Sequence, residues 1–380
     1  MSAFEVAPVS EVAPVKEAAP AAVAPRAGGG AEPLAGRLRR PGRRAILIGG
    51  LAVALGAALV ALAVGSVAIP VDRIAKMLLA RLPFVAVVPD WPASYEAVLW
   101  EIRLPRVVLA GLVGASLATA GATYQGLFRN PLADPYLIGV AAGAALGAVL
   151  AIVAPAPPLL YSLGLVQAAA FGSAIATVAL VYALARVGRT APVTTLLLSG
   201  VALGAFAAAI TSFLMYVHGD KLLSIYSWLM GGFALSNWQH VLLTLPYTAI
   251  GLAVIWLYAR PLNVLQLDEE QAAQLGLNVE RLKLILVGAA TLVTAAAVAV
   301  SGLIGFVGLI VPHAVRLIWG PDYRFLLPMS AIGGAVFLTL ADTLARALLA
   351  PSELPVGVVT AFCGAPFFLY LLRQHKRMVF

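Results

Sequence analysis

The residue types that most often carry chemistry are few in this chain, and their spacing supports neither metal binding nor catalysis. Its four histidines lie near the ends of apolar segments rather than in one cluster: His218, His240, His313 and His375. HExxH and CxxC are absent, and the single cysteine, Cys363, excludes an intrachain disulfide. The phosphate-cradling motif GxxxxGK[ST] is absent too, since none of the five lysines follows a glycine. We therefore predict no catalytic residue, no metal site and no cofactor on this chain.

Ionisable residues inside the apolar segments are equally scarce. Charges at membrane depth are costly and mark the pathways of ion-coupled carriers, yet the first seven apolar segments have no Asp, Glu, Lys or Arg at their centres. Asp342 and Arg346 lie one helical turn apart in the ninth segment, where they could pair with each other. This pattern weakens the hypothesis of an ion-coupled carrier. It does not exclude one, because Ser, Thr and Tyr could still line a polar pathway.

The composition places the chain in the membrane class. Of 380 residues, 62% are hydrophobic and 11% are charged, with a mean hydropathy of +0.96, whereas soluble domains carry about 25% charged residues. The net charge of +8 is typical of basic loops on the cytoplasmic side of a membrane protein, so we predict no nucleic-acid partner.

Apolar segments long enough to cross a bilayer, about 20 residues each, recur along the chain. We count ten, approximately at residues 45–67, 107–127, 137–154, 159–185, 196–217, 241–258, 284–300, 303–318, 325–349 and 356–372. The eighth is so short that it could be re-entrant. The sequence predicts an all-α polytopic membrane protein with about ten transmembrane helices, a transmembrane domain over 39–380 and a disordered cytoplasmic tail over 1–38.

The basic residues orient these segments. With the N-terminus inside and ten spans, most of the 25 Lys and Arg residues fall in cytoplasmic segments, as the positive-inside rule requires. We therefore predict that both termini are cytoplasmic.

Residues 302–313, GLIGFVGLIVPH, form a glycine-punctuated apolar segment that ends in Pro-His. A simple membrane anchor needs none of these glycines. Small residues let helix backbones approach closely where no hydrophobic effect operates between helices. The segment therefore predicts close helix packing and an abrupt turn, with His313 as a cap or packing residue rather than a ligand.

The loop at residues 260–282 is the longest polar segment between the later spans. Residues 269–275 read as a short helix closed by Gly276 at its C′ position. Its leucines and acidic residues could form a docking surface for a soluble partner. A plain solvated connection is the alternative.

Several segments taken together resemble the permease subunit of type II ABC importers, the FecCD-type family that takes up iron-siderophores, haem and cobalamin. The matching segments are residues 102–106 (IRLPR), Gln125, 130–135 (NPLADP), 197–204 (LLSGVALG), 228–233 (WLMGGF), 261–276, 302–313, 340–342 (LAD), 353–357 (ELPVG) and 364–366 (GAP). They run in order over about residues 101–372, most of the chain. The resemblance implies the type II importer fold in a bacterial or archaeal cytoplasmic membrane.

The resemblance assigns the 260–282 loop as the element that couples the permease to a cytosolic ATPase, which would bind ATP and magnesium. The implied coupling residues are Leu267, Asp268, Glu269, Ala272, Leu275 and Gly276. Asp268 stands where the family usually has glycine. Movement of this short helix would transmit closure of the ATPase to the spans.

On the outer side, the resemblance implies that Arg103, Arg106 and Arg346 dock a substrate-binding protein through its glutamates, since arginine forms strong charge-assisted pairs with carboxylates. Binding of lipid headgroups is one alternative. Intrachain pairing is the other, with these partners: Glu101, Asp342 and Glu353.

The resemblance further implies two copies of this chain, two ATPase subunits and one binding protein, with the path on the axis of the homodimer. The implied path residues are Thr194, Thr195, Ser199, Thr211, Met215 and Trp228; each could instead be a packing residue. The segment 230–233 with Trp238 resembles cobalamin permeases slightly more than siderophore permeases. Haem would favour Met215, Tyr216 or His218 as transient ligands. A carrier or scaffold without an ATPase is the alternative function.

Overall fold

The computed structural model describes residues 42–65, 68–81 and 88–379, and within these ranges the protein is all-helical. The predicted tail, residues 1–38, lies outside the described residues. The helices are α1 (Arg43–Ala63), α2 (Val71–Leu79), α3 (Ala93–Ala97), α4 (Leu104–Leu127), α5 (Val140–Val153), α6 (Pro158–Ser162), α7 (Leu165–Ala185), α8 (Val193–Val217), α9 (Leu222–Met230), α10 (Trp238–Leu257), α11 (Ala259–Val264), α12 (Glu269–Gln274), α13 (Val279–Ser301), α14 (Val307–Trp319), α15 (Tyr323–Leu348) and α16 (Val356–Val379). A π-helical segment, Val98–Arg103, joins α3 to α4.

Nine of the ten predicted apolar segments each overlap one helix of this set, whereas the segment 159–185 covers both α6 and α7. Among the described residues, seven helical stretches are long and apolar enough to cross a membrane: α1, the continuous stretch Ala93–Leu127, α7, α8, α10, α13 and α15. The other three segments correspond to shorter apolar stretches in α5, α14 and α16. At 1.5 Å per residue, the 13 residues of α14 extend only about 20 Å, less than the roughly 30 Å hydrocarbon core. The eighth segment therefore does not cross the membrane as a helix alone.

The centre of the bundle is built on α4 and α13, in whose most apolar windows 78% and 72% of residues are buried. Helix α4 packs against α10, α13, α14 and α15. Gly114 of α4 faces the backbone of Gly334 in α15, and Gly121 faces the backbone of Gly308 in α14, so closely that a Cβ at either glycine would overlap the opposing carbonyl. The small residues therefore let the central helices pack backbone to backbone, as predicted.

The turn predicted near residues 302–313 lies between α13 and α14. Gly302 and Phe306 bound it with φ values of +68° and +69°. Neighbouring groups form hydrogen bonds with the backbone carbonyls of this turn. The amide of Gly232 donates to the Ser301 carbonyl (2.8 Å), and the Tyr136 hydroxyl donates to the Ile304 carbonyl (3.0 Å). Irregular backbone at membrane depth is tolerated only when it is buried in protein in this way.

Pro312 in α14 has no N–H, so the carbonyl of Gly308 loses its helical partner. The side-chain amide of Gln125, fully buried in α4, donates to the carbonyls of Gly308 (3.4 Å) and Leu309 (3.2 Å). This contact explains why a buried glutamine and a proline occur in two packed helices. His313 is buried with its ring edge against Phe367, at a centroid distance of 6.4 Å, so it is a packing residue, as predicted.

Candidate functional site

The predicted coupling helix is present as α12, which spans Glu269–Gln274. Asp268 is its N-cap, and its carboxylate accepts the backbone N–H of Glu269 (2.7 Å). Gly276 follows with φ +86°, the left-handed conformation expected of a glycine at C′. The helix and both of its ends agree with the sequence prediction.

The residues assigned to coupling divide into an exposed group and a buried group. Leu267 and Leu275 are 57% and 66% exposed, and Gly276 is exposed between the helix and α13. These two large apolar side chains make the exposed face of the loop a candidate contact surface for a soluble partner. Ala272, in contrast, is fully buried. Ala272 therefore packs α12 against the body of the protein, away from the exposed leucines, and its coupling role stays a prediction.

The segment before α12 is also attached to the inner end of α4. The guanidinium of Arg129, just after α4, donates to the carboxylate of Asp268 (2.8 Å), and the side-chain amide of Gln266 donates to the Gly126 carbonyl (2.9 Å). The amide of Glu269 and then Arg129 lower the pKa of Asp268 below its usual value, so this carboxylate is ionised at neutral pH. Helix α12, the predicted coupling helix, is thus tied to the central helix of the bundle.

A second attachment runs through Lys283, which is 1% exposed. Its ammonium donates to the carboxylates of Glu269 in α12 (2.7 Å) and Glu280 in α13 (3.2 Å). It also donates to the carbonyl of Ala191 (3.4 Å). Glu280 in turn accepts the Ala191 amide (2.9 Å). We call Lys283, Glu269, Glu280 and Ala191 the inner ionic link, because they join the coupling helix to the chain two residues before α8.

The three outer arginines lie in a buried network rather than on an open surface. Arg103, Arg106 and Arg346 are 4%, 6% and 7% exposed. The Arg106 guanidinium is bonded to both Asp342 (2.8 Å) and Glu353 (2.9 Å), and Arg346 also contacts Asp342 (3.2 Å).

Arg103 and Arg346 both contact the outer end of α1. The Arg103 guanidinium donates to the Leu62 and Ala63 carbonyls. Arg346 donates to the carbonyls of Ala61 (3.0 Å) and Val64 (3.0 Å). The structure thus shows the intrachain pairing with Asp342 and Glu353 that the sequence left open. The docking role of the arginines stays a prediction.

The predicted path residues on α8 do not share one environment. Thr194 is exposed, while Thr195, Ser199 and Met215 are partly buried. Thr211 is buried, and its hydroxyl donates to the Ala207 carbonyl of its own helix (2.9 Å), which favours packing over a path role for this residue. Trp228 on α9 is partly buried against the main core.

Helix α8 exposes a long stripe at helical spacing. Its exposed positions include Thr194, Leu198, Ala205, Ser212 and Tyr216. Ser212 was not among the path residues predicted from the sequence, although it lies one turn from the exposed Tyr216. The stripe combines hydroxyl groups with apolar side chains.

The residues that sequence reasoning missed are Arg129, Gln266, Glu280 and Lys283. One signal could have found part of the inner ionic link, since Glu280 and Lys283 have the i, i+3 spacing of a helical ion pair. The other contacts join residues at least 14 positions apart, so local spacing does not reveal them. Within the described residues, no group of three or more His, Cys, Asp or Glu side chains could hold a metal ion.

The sequence from residue 52 to residue 374 matches the FecCD transport family. The chain belongs to this family. This FecCD protein is 50% identical over 285 residues to the cobalamin import system permease protein BtuC of Halobacterium salinarum, an alignment that covers 75% of this chain and 76% of the relative. It is 46% identical over 300 residues to the hemin transport system permease protein HmuU of Yersinia pestis, covering 76% and 88% of the two chains.

The fold of the FecCD protein also has a solved counterpart. A structure described as an inward-facing conformation of a metal-chelate type ABC transporter is 32% identical in sequence, with a TM-score of 0.74. The match covers 87% of this chain and 99% of that one. The FecCD protein is therefore a multi-pass membrane permease subunit of a prokaryotic ABC importer. It is a transporter rather than an enzyme, and it works with ATPase and binding-protein partners.

Proposed function

We propose that this FecCD permease forms a homodimer that carries a cobalamin-type chelate from its binding protein to the cytoplasm, driven by two ATPase subunits that bind ATP and magnesium. The observation that carries the choice of substrate is the 50% identity to a permease named for cobalamin import. The segment 230–233 with Trp238 supports the same choice. The 46% identical relative named for hemin transport makes haem the first competing substrate.

The substrate is tested by reconstituting the full chain in liposomes with its ATPase and binding protein. Uptake of cyanocobalamin is expected to require ATP, the ATPase and the binding protein. Haem and a ferric siderophore are measured under the same conditions. Uptake of haem without uptake of cyanocobalamin would overturn the assignment of a cobalamin-type substrate. Uptake without the ATPase would overturn the ATP-driven mechanism.

We propose that the ATPase docks on the exposed face of the 260–282 loop, chiefly on Leu267 and Leu275. These two leucines flank α12, and Asp268 and Glu269 hold the helix in place through Arg129 and Lys283. Burying two exposed leucine side chains contributes roughly 1.5–3 kcal/mol each. The attachment of α12 to both α4 and the start of α8 supports a role for α12 in transmitting movement of the ATPase to the spans.

Replacing both leucines, Leu267→Asp with Leu275→Asp, is expected to abolish co-purification of the ATPase while leaving the permease folded, since neither side chain is in the core. The matched control is Val187→Asp, an exposed apolar residue in the turn before α8. Co-purification is measured for both proteins after detergent extraction. Equal retention of the ATPase by the double variant and the control contradicts the docking surface.

A further inference from the structure

A cavity on the inner side of the protein is lined by four arginines. It has a volume of about 480 Å³ and lies among α1, the junction of α10 and α11, and the start of α15. The arginines are Arg43, Arg44, Arg260 and Arg324. Apolar side chains, among them Leu47 and Trp256, form the rest of the lining. We call this cavity the basic inner pocket.

The positive charge of the basic inner pocket is only partly neutralised. Arg43 pairs with Asp322 (2.7 Å), which also accepts from the side-chain amide of Asn263 (2.8 Å). Among the residues that the structure describes, the guanidinium groups of Arg44, Arg260 and Arg324 form no ion pair. Helices α1 and α15 also begin at this pocket, and the N-terminal end of a helix favours an anion. The pocket therefore attracts a negatively charged group.

An apolar crevice adjoins the basic inner pocket on its membrane side. Its volume is about 250 Å³, and Trp256 lines both spaces. The crevice is formed by Leu252 and Ala253, one turn before Trp256 in α10, and by Leu327 and Ala331, one to two turns after Arg324 in α15. Both sets lie further from the inner end of their helix, so the crevice extends from the charged pocket toward the middle of the bilayer.

We propose that the basic inner pocket and its crevice bind an anionic phospholipid of the cytoplasmic leaflet. The phosphate lies among the arginines, and an acyl chain lies in the crevice beside Trp256. Basic pockets between transmembrane helices on the cytoplasmic side suit anionic headgroups, and tryptophan is enriched at this depth. A free phosphate or nucleotide would leave the crevice empty, whereas the ammonium group of a zwitterionic lipid would be repelled by the arginines of the pocket.

The site also has a structural consequence. Arg44 is on α1, Arg260 on α11 and Arg324 on α15, so one headgroup would bridge three elements. Asn263 of α11 already bonds both to Asp322 and to the amide of Tyr323 (2.9 Å) at the start of α15. A bound lipid would strengthen this attachment of α11, the helix that leads into the coupling loop.

The proposal is tested by titrating the purified full chain in detergent with dioleoylphosphatidylglycerol, with dioleoylphosphatidylcholine as the neutral comparison, and counting bound lipid by native mass spectrometry. The test variant is Arg44→Gln with Arg324→Gln; Arg43 is left in place because it pairs with Asp322. The matched control is Arg186→Gln with Arg189→Gln, which removes two exposed positive charges elsewhere on the inner side.

Wild type is expected to bind phosphatidylglycerol in preference to phosphatidylcholine. Each arginine near the surface contributes about fivefold to the binding of an anionic lipid, so the test variant should bind phosphatidylglycerol roughly 25-fold more weakly, while the control binds as wild type. Equal binding of the two lipids by wild type overturns the proposal. An equal loss in test and control also overturns it, because it would indicate diffuse surface charge.

Two further variants keep the test decisive if the glutamine variant is not monodisperse. Arg44→Lys with Arg324→Lys keeps the charge and should keep most of the binding. Ala331→Phe fills the crevice and should weaken phosphatidylglycerol binding while leaving the binding of glycerol 3-phosphate unchanged. If Ala331→Phe binds the lipid as wild type does, the acyl-chain site is wrong. If Arg44→Lys with Arg324→Lys binds phosphatidylglycerol as weakly as the glutamine variant does, the proposed headgroup site is wrong.

Discussion

At the scale of the residue, Arg106, Arg346, Asp342 and Glu353 form one charged group on the outer side of this permease. Asp342 is 1% exposed and lies between Arg106 and Arg346. Removing one member of such a group leaves an uncompensated charge in a poorly solvated site, which costs far more than losing a surface ion pair. The outer arginines thus have a structural role, whether or not a binding protein also contacts them.

Arg106→Met is therefore expected to lower the free energy of unfolding by about 3–5 kcal/mol, because Asp342 keeps only Arg346 and Glu353 loses its partner. Unfolding in detergent, followed by circular dichroism, measures the change. Lys76→Met is the control, since Lys76 pairs with Asp90 on an exposed outer surface and should leave unfolding unchanged. If the two variants unfold alike, the network does not stabilise the fold.

At the scale of the element, the inner ionic link ties α12 to α13 and to the chain before α8, so we expect the proposed coupling helix and the start of α8 to move together. Lys283 is held by carboxylates on α12 and α13 and by the Ala191 carbonyl. A short helix alone can be displaced without consequence. When a short helix is joined to the end of a span, a movement of the helix also moves the span. A contact between the helix and the ATPase can then drive a transport step.

Lys283→Met is expected to lower the chelate transported per ATP hydrolysed by about 5- to 150-fold, the usual range of coupling between sites, while the ATPase still co-purifies. Glu269→Gln, which removes only the α12 side of the link, should show the same defect, and Lys283→Arg should restore much of the ratio. The control is Arg281→Met, an exposed basic residue on the same helix. If Lys283→Met leaves the ratio of chelate transported to ATP hydrolysed unchanged, the inner ionic link has no role in coupling. If Lys283→Met no longer binds the ATPase, Lys283 acts in assembly instead.

The elements also show what the sequence alone could predict. Hydropathy located the apolar segments, and Gly276 located the end of α12, because these signals are local. The inner ionic link and the contact of Gln125 with α14 were not predicted, because each joins residues that meet only after the helices pack. The docking role of the arginines rests on the resemblance. Arg106 and Arg346 pair with Asp342, and Arg106 also pairs with Glu353, partners that the sequence offered only as alternatives.

At the scale of the whole molecule, two poorly buried helices have different surfaces. In both α1 and α8 only 17% of the most apolar window is buried. Beyond Arg43 and Arg44 at its first turn, the large exposed residues of α1 are aliphatic, including Leu51 and Leu55, as suits contact with lipid tails. The exposed stripe of α8 carries Thr194, Ser212 and Tyr216. Of these three, Ser212 lies more than one turn inside α8, and polar groups at membrane depth face protein or a water-filled cavity. We infer that α8 faces the second copy and the path, and that α1 faces lipid.

This inference predicts where two copies approach each other. In a Cys363→Ser background, which removes the exposed native cysteine, single cysteines at Leu198, Ser212 or Tyr216 should give disulfide-linked dimers on mild oxidation of the membranes. Tyr216 on α8 is 88% exposed and Leu55 on α1 is 65% exposed, so Leu55→Cys is a control of similar accessibility that should stay monomeric. Oxidation is followed by non-reducing electrophoresis.

Because the two stripes differ in polarity and not in exposure, random collision would link both helices equally. Linking through α1 as readily as through α8 would therefore contradict a dimer axis along α8, and with it the proposed path.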